Sequence, residues 1–151
     1  MKISEIKKLY GSKDKMHDWN HIRRIKKNAE LLKKGEKADE ELLNFLINFH
    51  GLKDYVLLHK NEFEKNKVQS LIRSHKNPKL IEEKIVFDAN TLDNLGVQGM
   101  KKALYVGRLK GRNKEDTFDY LRESLKRIKF YTKKGKEIGE REMKLMEEKL
   151  K

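Results

Sequence analysis

The stretch DWNHIRRIKKNAELLKK (18–34) decides how this chain folds. Ile22, Ile25, Ala29 and Leu32 recur three and four residues apart, the period of one helix face. Basic and polar residues fill the other faces, and Gly35 follows where a helix C-cap belongs. Towards the N-terminus, Ser4 to Tyr10 predicts a short helix ended by Gly11. Towards the C-terminus, Asp39 is an expected N-cap for a helix burying Leu42, Leu43, Leu46, Phe49 and His50, with Gly51 at its end. Asn61 and Glu64 suggest a capping box for a helix through Val68, Leu71, Ile72 and His75. Asn77-Pro78 is a restart signal, and the helix after it carries Leu80, Ile81, Ile85, Asp88 and Leu92. Gly96 and Gly99 precede Met100–Gly107, and a polar loop covers 111–115. Asp116 opens a helix with Phe118, Leu121, Leu125 and Ile128, and a charged last helix is expected from Lys136. No stretch alternates as a half-buried strand would. The expectation is an all-α, compact single-domain bundle over residues 1–151, with no repeat and no long linker.

Composition agrees. A chain of 151 residues suits one domain. Hydrophobic residues make up 36%, charged residues 40%, and the mean hydropathy is −0.91, yet the apolar positions are periodic, which argues against disorder. The absence of cysteine excludes disulfides, thiolate metal sites and cysteine nucleophiles. No stretch approaches the roughly 18 apolar residues of a membrane span. The opening MKISEIKKLYGSKDK (1–15) has no apolar signal core. A cytoplasmic protein without a membrane partner is the expectation, with oligomeric state left open. The net charge of +13 raises the odds of phosphate or nucleic-acid partners. Lysines are mixed with glutamates, as in KKGEKADEE (33–41) and KEIGEREMKLMEEK (136–149), so only weak, non-specific nucleic-acid binding is expected.

Ionisable residues fall on apolar faces. His21 shares the face of Ile25 and Ala29, and His50 lies four residues after Leu46. His75 lies four after Leu71, and Asp88 three after Ile85. Burying such groups is costly unless they are paired or bind a cation. Imidazoles with a carboxylate suit Zn, Mn, Fe, Ni or Co. Spacing alone leaves two readings open, satisfied core residues or ligands.

The segments HDWNHIRRI (17–25), LINFHG (46–51), LIRSHK (71–76), IVFDANTLDNLGVQGMKKAL (85–104) and TKKGKEIGEREMKLMEEKL (132–150) extend the reading. In this order they resemble the HD-domain phosphohydrolase superfamily, in particular its small bacterial and archaeal members with an HDxxHxxRV-like opening. The resemblance implies a divalent metal ion (Mn, Ni, Fe, Zn, Co or Mg) held by His21, His50 and Asp88. It implies hydrolysis of a nucleotide or other small phosphate ester by a metal-bound water, with His75 and Asp88 as catalytic residues. His17 and Asp18 would stand at the substrate rim, with a helix N-cap as the alternative for that pair. Lys53 and Lys101 would neutralise phosphate charge.

Departures from the pattern bear on activity. Gly51 stands where the family has the Asp of its His-Asp pair. Asp88-Ala89-Asn90-Thr91-Leu92-Asp93 stands where the family commonly reads D-A-D-x-L-D. The span between His50 and His75 is short and holds Asp54 and His59. These departures predict an impaired hydrolase. The alternative is an inactive HD-fold protein that binds a nucleotide, nucleic acid or protein partner. Gly51→Asp is expected to restore the missing ligand, with strain if Gly51 adopts a positive φ.

Overall fold

A computed structural model describes residues 1–14 and 17–151. The helices are α1 (Ile3–Leu9), α2 (Trp19–Leu32), α3 (Glu40–Asn48), α4 (Lys53–Leu58), α5 (Lys65–Lys76), α6 (Ile81–Asp93), α7 (Gly96–Leu109), α8 (Lys114–Leu125) and α9 (Lys133–Lys149). Short 3-10 turns cover Tyr10–Ser12, His50–Leu52 and Lys60–Glu62. Among the described residues there is no strand, and the protein is all-α.

The period of α2 is realised as read: Ile22, Ile25, Ala29 and Leu32 are all buried. Elsewhere the boundaries moved for local reasons. The expected capping box at Asn61 gives way to the 3-10 turn, and Glu64 sits at the N-cap position of α5 without a side-chain cap. Helix α6 starts at Ile81, past Pro78, because the Glu83 carboxylate accepts from the Lys79 and Leu80 N–H groups at 3.0 and 3.4 Å. Asn113, three residues ahead of the expected Asp116, caps α8, and Thr132 caps α9.

Helix α6 is the centre of the fold, packed against α2, α3, α5, α7 and α9. It buries Ile85, Val86, Ala89 and Leu92, and it also buries Glu82, Glu83, Asp88 and Asp93. Four buried carboxylates on one helix need partners, since an unpaired buried charge is very costly. Each finds them on a different neighbour. Glu82 accepts from the Asp39 N–H at 2.8 Å, at the start of α3. Glu83 binds Arg73 at 2.7 Å and Ser70 at 2.6 Å on α5. Asp93 joins α2 to α7, as described below.

Asp88 docks α9. Its Oδ1 accepts from the Tyr131 N–H at 3.0 Å, and its Oδ2 accepts from the Thr132 N–H and hydroxyl, both at 2.7 Å. The Thr132 oxygen in turn accepts from the Gly135 N–H at 2.9 Å. A Cβ at position 135 would collide with both Asp88 and Thr132, so the T-x-x-G spacing is a requirement of this joint. Thr132→Ala removes a helix cap and one donor to a buried carboxylate. The expected cost is about 1–2 kcal/mol. Thermal denaturation will read this as a lower melting temperature, and an unchanged melting temperature would mean that the joint does not depend on Thr132.

Candidate functional site

His21, His50 and His75 come from three different elements and meet. Asp18 caps α2, accepting from the N–H groups of Asn20 and His21 at 3.0 and 3.3 Å, and so sets the first turn that carries His21. His50 opens the 3-10 turn after α3 and is 7% exposed. His75 lies in the last turn of α5. The His21 and His50 ring centroids are 5.9 Å apart. The His50 and His75 rings stack at 4.4 Å, 6° from parallel.

The second layer is electrostatic. His21 Nδ1 lies 2.7 Å from Asp93 Oδ2. Arg24 Nε donates to Asp93 Oδ1 at 2.8 Å, and Lys102 Nζ donates to Asp93 Oδ2 at 2.8 Å. Burial pushes the Asp93 carboxyl up, but these three donors outweigh it and hold it well below the usual carboxylate range. Burial holds the His50 ring well below the usual imidazole range, and His75 and His21 add to this, while the Asn90 side chain opposes it. His75 is lowered by burial and by Lys53, against the pull of the His50 carbonyl and Asp54. Both shifts favour the uncharged form of the ring. Among the described residues, His50 Nδ1 and His75 Nε2 are buried without a hydrogen-bond partner.

These rings open on a pocket of about 410 Å³ lined by His17, His21, His50, Gly51, Lys53, Asp54, His75, Asn90, Asn94 and Lys102. Of the residues expected at the site, His17, His21, His50, His75 and Lys53 line it. Asp88 does not: both its oxygens are engaged by residues 131 and 132. Asn90, two residues on and about 200° round the helix, takes the pocket position instead. Asp88 is thus corrected from metal ligand and catalytic residue to a group that docks α9. Lys101 is exposed, and its neighbour Lys102 turns inward. Asp18 is the N-cap of α2, the alternative held open for it, and is absent from the pocket lining. His59 pairs with Glu62 at 3.5 Å outside the pocket. Asn94, Lys102 and the Asp93 network were missed, and Asn90 was read only as a departure from the D-A-D pattern. The signal for Asn94 was its place one helical turn after Asn90.

Gly51 is also explained. Its φ is not positive, which removes the expected strain. The Tyr10 hydroxyl donates to the Asn48 carbonyl at 2.6 Å and accepts from the Gly51 N–H at 3.1 Å. A Cβ at 51 would stand 2.7 Å from Tyr10 Cε1. The buried tyrosine ring fills the place a side chain would take.

This donor set does not fit one divalent ion. Imidazole lone pairs lie in the ring plane, and the near-parallel stack of His50 on His75 directs them along separate planes. Asp93 is committed to two cations and an imidazole, and Lys102 Nζ stands 3.3 Å from His21 Nδ1. Among the described residues no group of three His, Asp or Glu side chains is placed to hold a metal. The arrangement offers polar ring atoms, two carboxamides, Lys53 and the Asp93-bound Lys102 against one lining carboxylate, Asp54, a balance that suits an anion.

The all-α arrangement is one known from solved bacterial structures. The Lin1889 protein from Listeria innocua is 24% identical, with 99% of this chain and 94% of that chain covered at a TM-score of 0.71. Bacillus subtilis YpgQ in complex with ADP is 22% identical, with coverage of 98% and 90% and a TM-score of 0.74. A second structure of YpgQ is 20% identical with a TM-score of 0.72, covering 98% of this chain and 91% of that one. At these identities the shared property is the fold. Neither a family model nor a curated protein matches the chain. Among the described residues no helix is long and apolar enough to cross a membrane.

Proposed function

We propose that the protein binds a phosphorylated small molecule, foremost a nucleotide, through the histidine pocket without a metal ion, on an HD-type scaffold. The observation that carries this reading is the lining of the pocket, where His50 and His75 stand with Lys53, Lys102, Gly51 and Asn90 around a single carboxylate, Asp54. Among the described residues His50 Nδ1 and His75 Nε2 have no partner, and an unsatisfied buried polar atom costs about 1–3 kcal/mol. A phosphate monoester titrates near pH 6, so close to neutrality it carries both P–OH donors and anionic oxygens. It can therefore donate to an imidazole lone pair and accept from an imidazole N–H. The ADP held by YpgQ on the same fold supports a nucleotide as the phosphate carrier.

The convergence of His21, His50 and His75, with a carboxylate orienting His21, favours a second reading: a metal-dependent HD-type phosphohydrolase with an impaired site. Asn90→Asp separates the two. In an anion pocket the new carboxylate repels phosphate, and ADP affinity measured by calorimetry in EDTA will fall about tenfold, the scale of one lost or opposed charged hydrogen bond. In an impaired hydrolase the same change supplies a ligand, and manganese binding and phosphate release will rise. ADP binding by the native protein that requires added metal would sink the metal-free reading.

A further inference from the structure

A second cavity, of about 470 Å³, lies between α6, α7, α8 and α9 and shares His17, Asn94 and Lys102 with the histidine pocket. Its volume is in the range of small-molecule sites, roughly 300–1,000 Å³. Its walls are mainly apolar, with Phe87, Leu95, Val106, Leu121 and Ile128 among them. Such walls take the uncharged part of a ligand, and the shared residues place that part directly beside the phosphate-binding groups.

The polar groups in this cavity differ in kind, and Arg127 and Lys129 add cationic side chains to the lining. Thr91 and Ser124 spend their hydroxyl protons on the carbonyls of Phe87 and Tyr120, at 3.0 and 2.9 Å. Their oxygens remain as acceptors. Arg112 follows the α7–α8 turn, where Gly111 has φ +75° and the Arg112 N–H donates to the Gly107 carbonyl at 2.7 Å. Its guanidinium lies 4.6 Å from the Tyr120 ring centre. Arg112 is part of the cavity lining, and among the described residues its Nε is buried with no partner.

We infer that this cavity is the base-binding half of a two-part nucleotide site, and that Arg112 recognises an acceptor atom on the base. The inference rests on the phosphate reading of the histidine pocket. A flat heterocycle carries both the donors that Thr91 and Ser124 can accept and the acceptor that Arg112 needs. A prenyl or acyl chain offers neither donors to those two oxygens nor an acceptor to the Arg112 guanidinium.

Calorimetry on the full chain with ADP, inorganic pyrophosphate and a prenyl pyrophosphate tests this. ADP is expected to bind at least tenfold more tightly than pyrophosphate. Val106→Phe fills the cavity and Arg112→Met removes the donor while keeping an aliphatic stem. Each is expected to weaken ADP about tenfold and to leave pyrophosphate within twofold. If Val106→Phe fails to fold, Arg112→Met decides alone. Pyrophosphate bound as tightly as ADP, or ADP binding untouched in a folded Arg112→Met, overturns the inference and leaves the phosphate pocket standing. A prenyl pyrophosphate that outcompetes ADP overturns the base assignment in favour of a lipid phosphate. Failure of pyrophosphate and ADP alike to bind the native protein overturns the phosphate reading and the inference with it.

Discussion

Gly51→Asp will destabilise the protein and will not create a metal site. The nearest obstacle to the new side chain is the Tyr10 ring, 2.7 Å from the ideal Cβ, and Tyr10 is only 1% exposed. A buried ring cannot swing aside as the tip of a lysine could. Tyr10 is also fixed at both ends of its hydroxyl, by Asn48 and by Gly51 itself. Overpacking of this kind typically costs about 1–3 kcal/mol. The added carboxylate is pressed into a half-closed space, which places the total near the upper end. For a chain of this size that is a loss of roughly 6–12 °C in melting temperature. The pair should be strongly coupled. Tyr10→Ala alone will cost about 3–5 kcal/mol by leaving a cavity. Adding Gly51→Asp to it should cost much less than it does in the native background, because the cavity admits the carboxylate. A thermal-melt double-mutant cycle reads the coupling, and strict additivity would show that Tyr10 is not what excludes a side chain at 51.

Asp93→Ala carries the other large effect. It removes the acceptor shared by His21, Arg24 and Lys102 and leaves two cations facing each other across α2 and α7. Breaking a buried pair from one side costs about 3–5 kcal/mol. Arg24 keeps some access to water, with 28% of its side chain exposed, which favours the lower figure. The pH dependence follows from the direction of the shift. The folded Asp93 carboxyl is held below its unfolded value, so between the two values the unfolded chain binds more protons. The contribution of Asp93 is complete above about pH 4 and is lost as the pH falls below it. His50 adds an earlier loss of the same sign: its ring resists protonation when folded, so stability begins to fall below about pH 6.5. Urea denaturation from pH 7 to 3 should show both declines in the native protein and a shallower acid-side decline in Asp93→Ala, where Glu83 still contributes. A penalty that stays constant down to pH 3 would refute the role given to Asp93.

The fold was legible because its signal is periodic. The apolar stripe of α2 and the inward positions of His21, His50 and His75 repeat at the helical period, and all three histidines reached one pocket. Asp88 was misplaced for a physical reason. Helix α6 is buried on several sides, so an inward-facing residue there has more than one interior to face, and spacing cannot tell the pocket from the α9 joint. Lys101 missed by one position, which on a helix is a rotation of about 100°. The Tyr10–Gly51 contact joins residues 41 apart in sequence, and no local pattern encodes it.

The four tethers of α6 also bear on how the molecule comes apart. Each of Glu82, Glu83, Asp88 and Asp93 is bound to a different part of the bundle, so no turn of α6 can open without exposing a carboxylate and abandoning its partners. Local fraying is suppressed there, and amide protons of this helix exchange with solvent through global unfolding. Helix α8 has no such tether to α6 and buries only Thr117 and Leu121. Opening α8 requires these two side chains and the Arg122 bond to the Leu150 carbonyl, 3.2 Å long, to let go, so its amide protons are expected to exchange faster than those of α6.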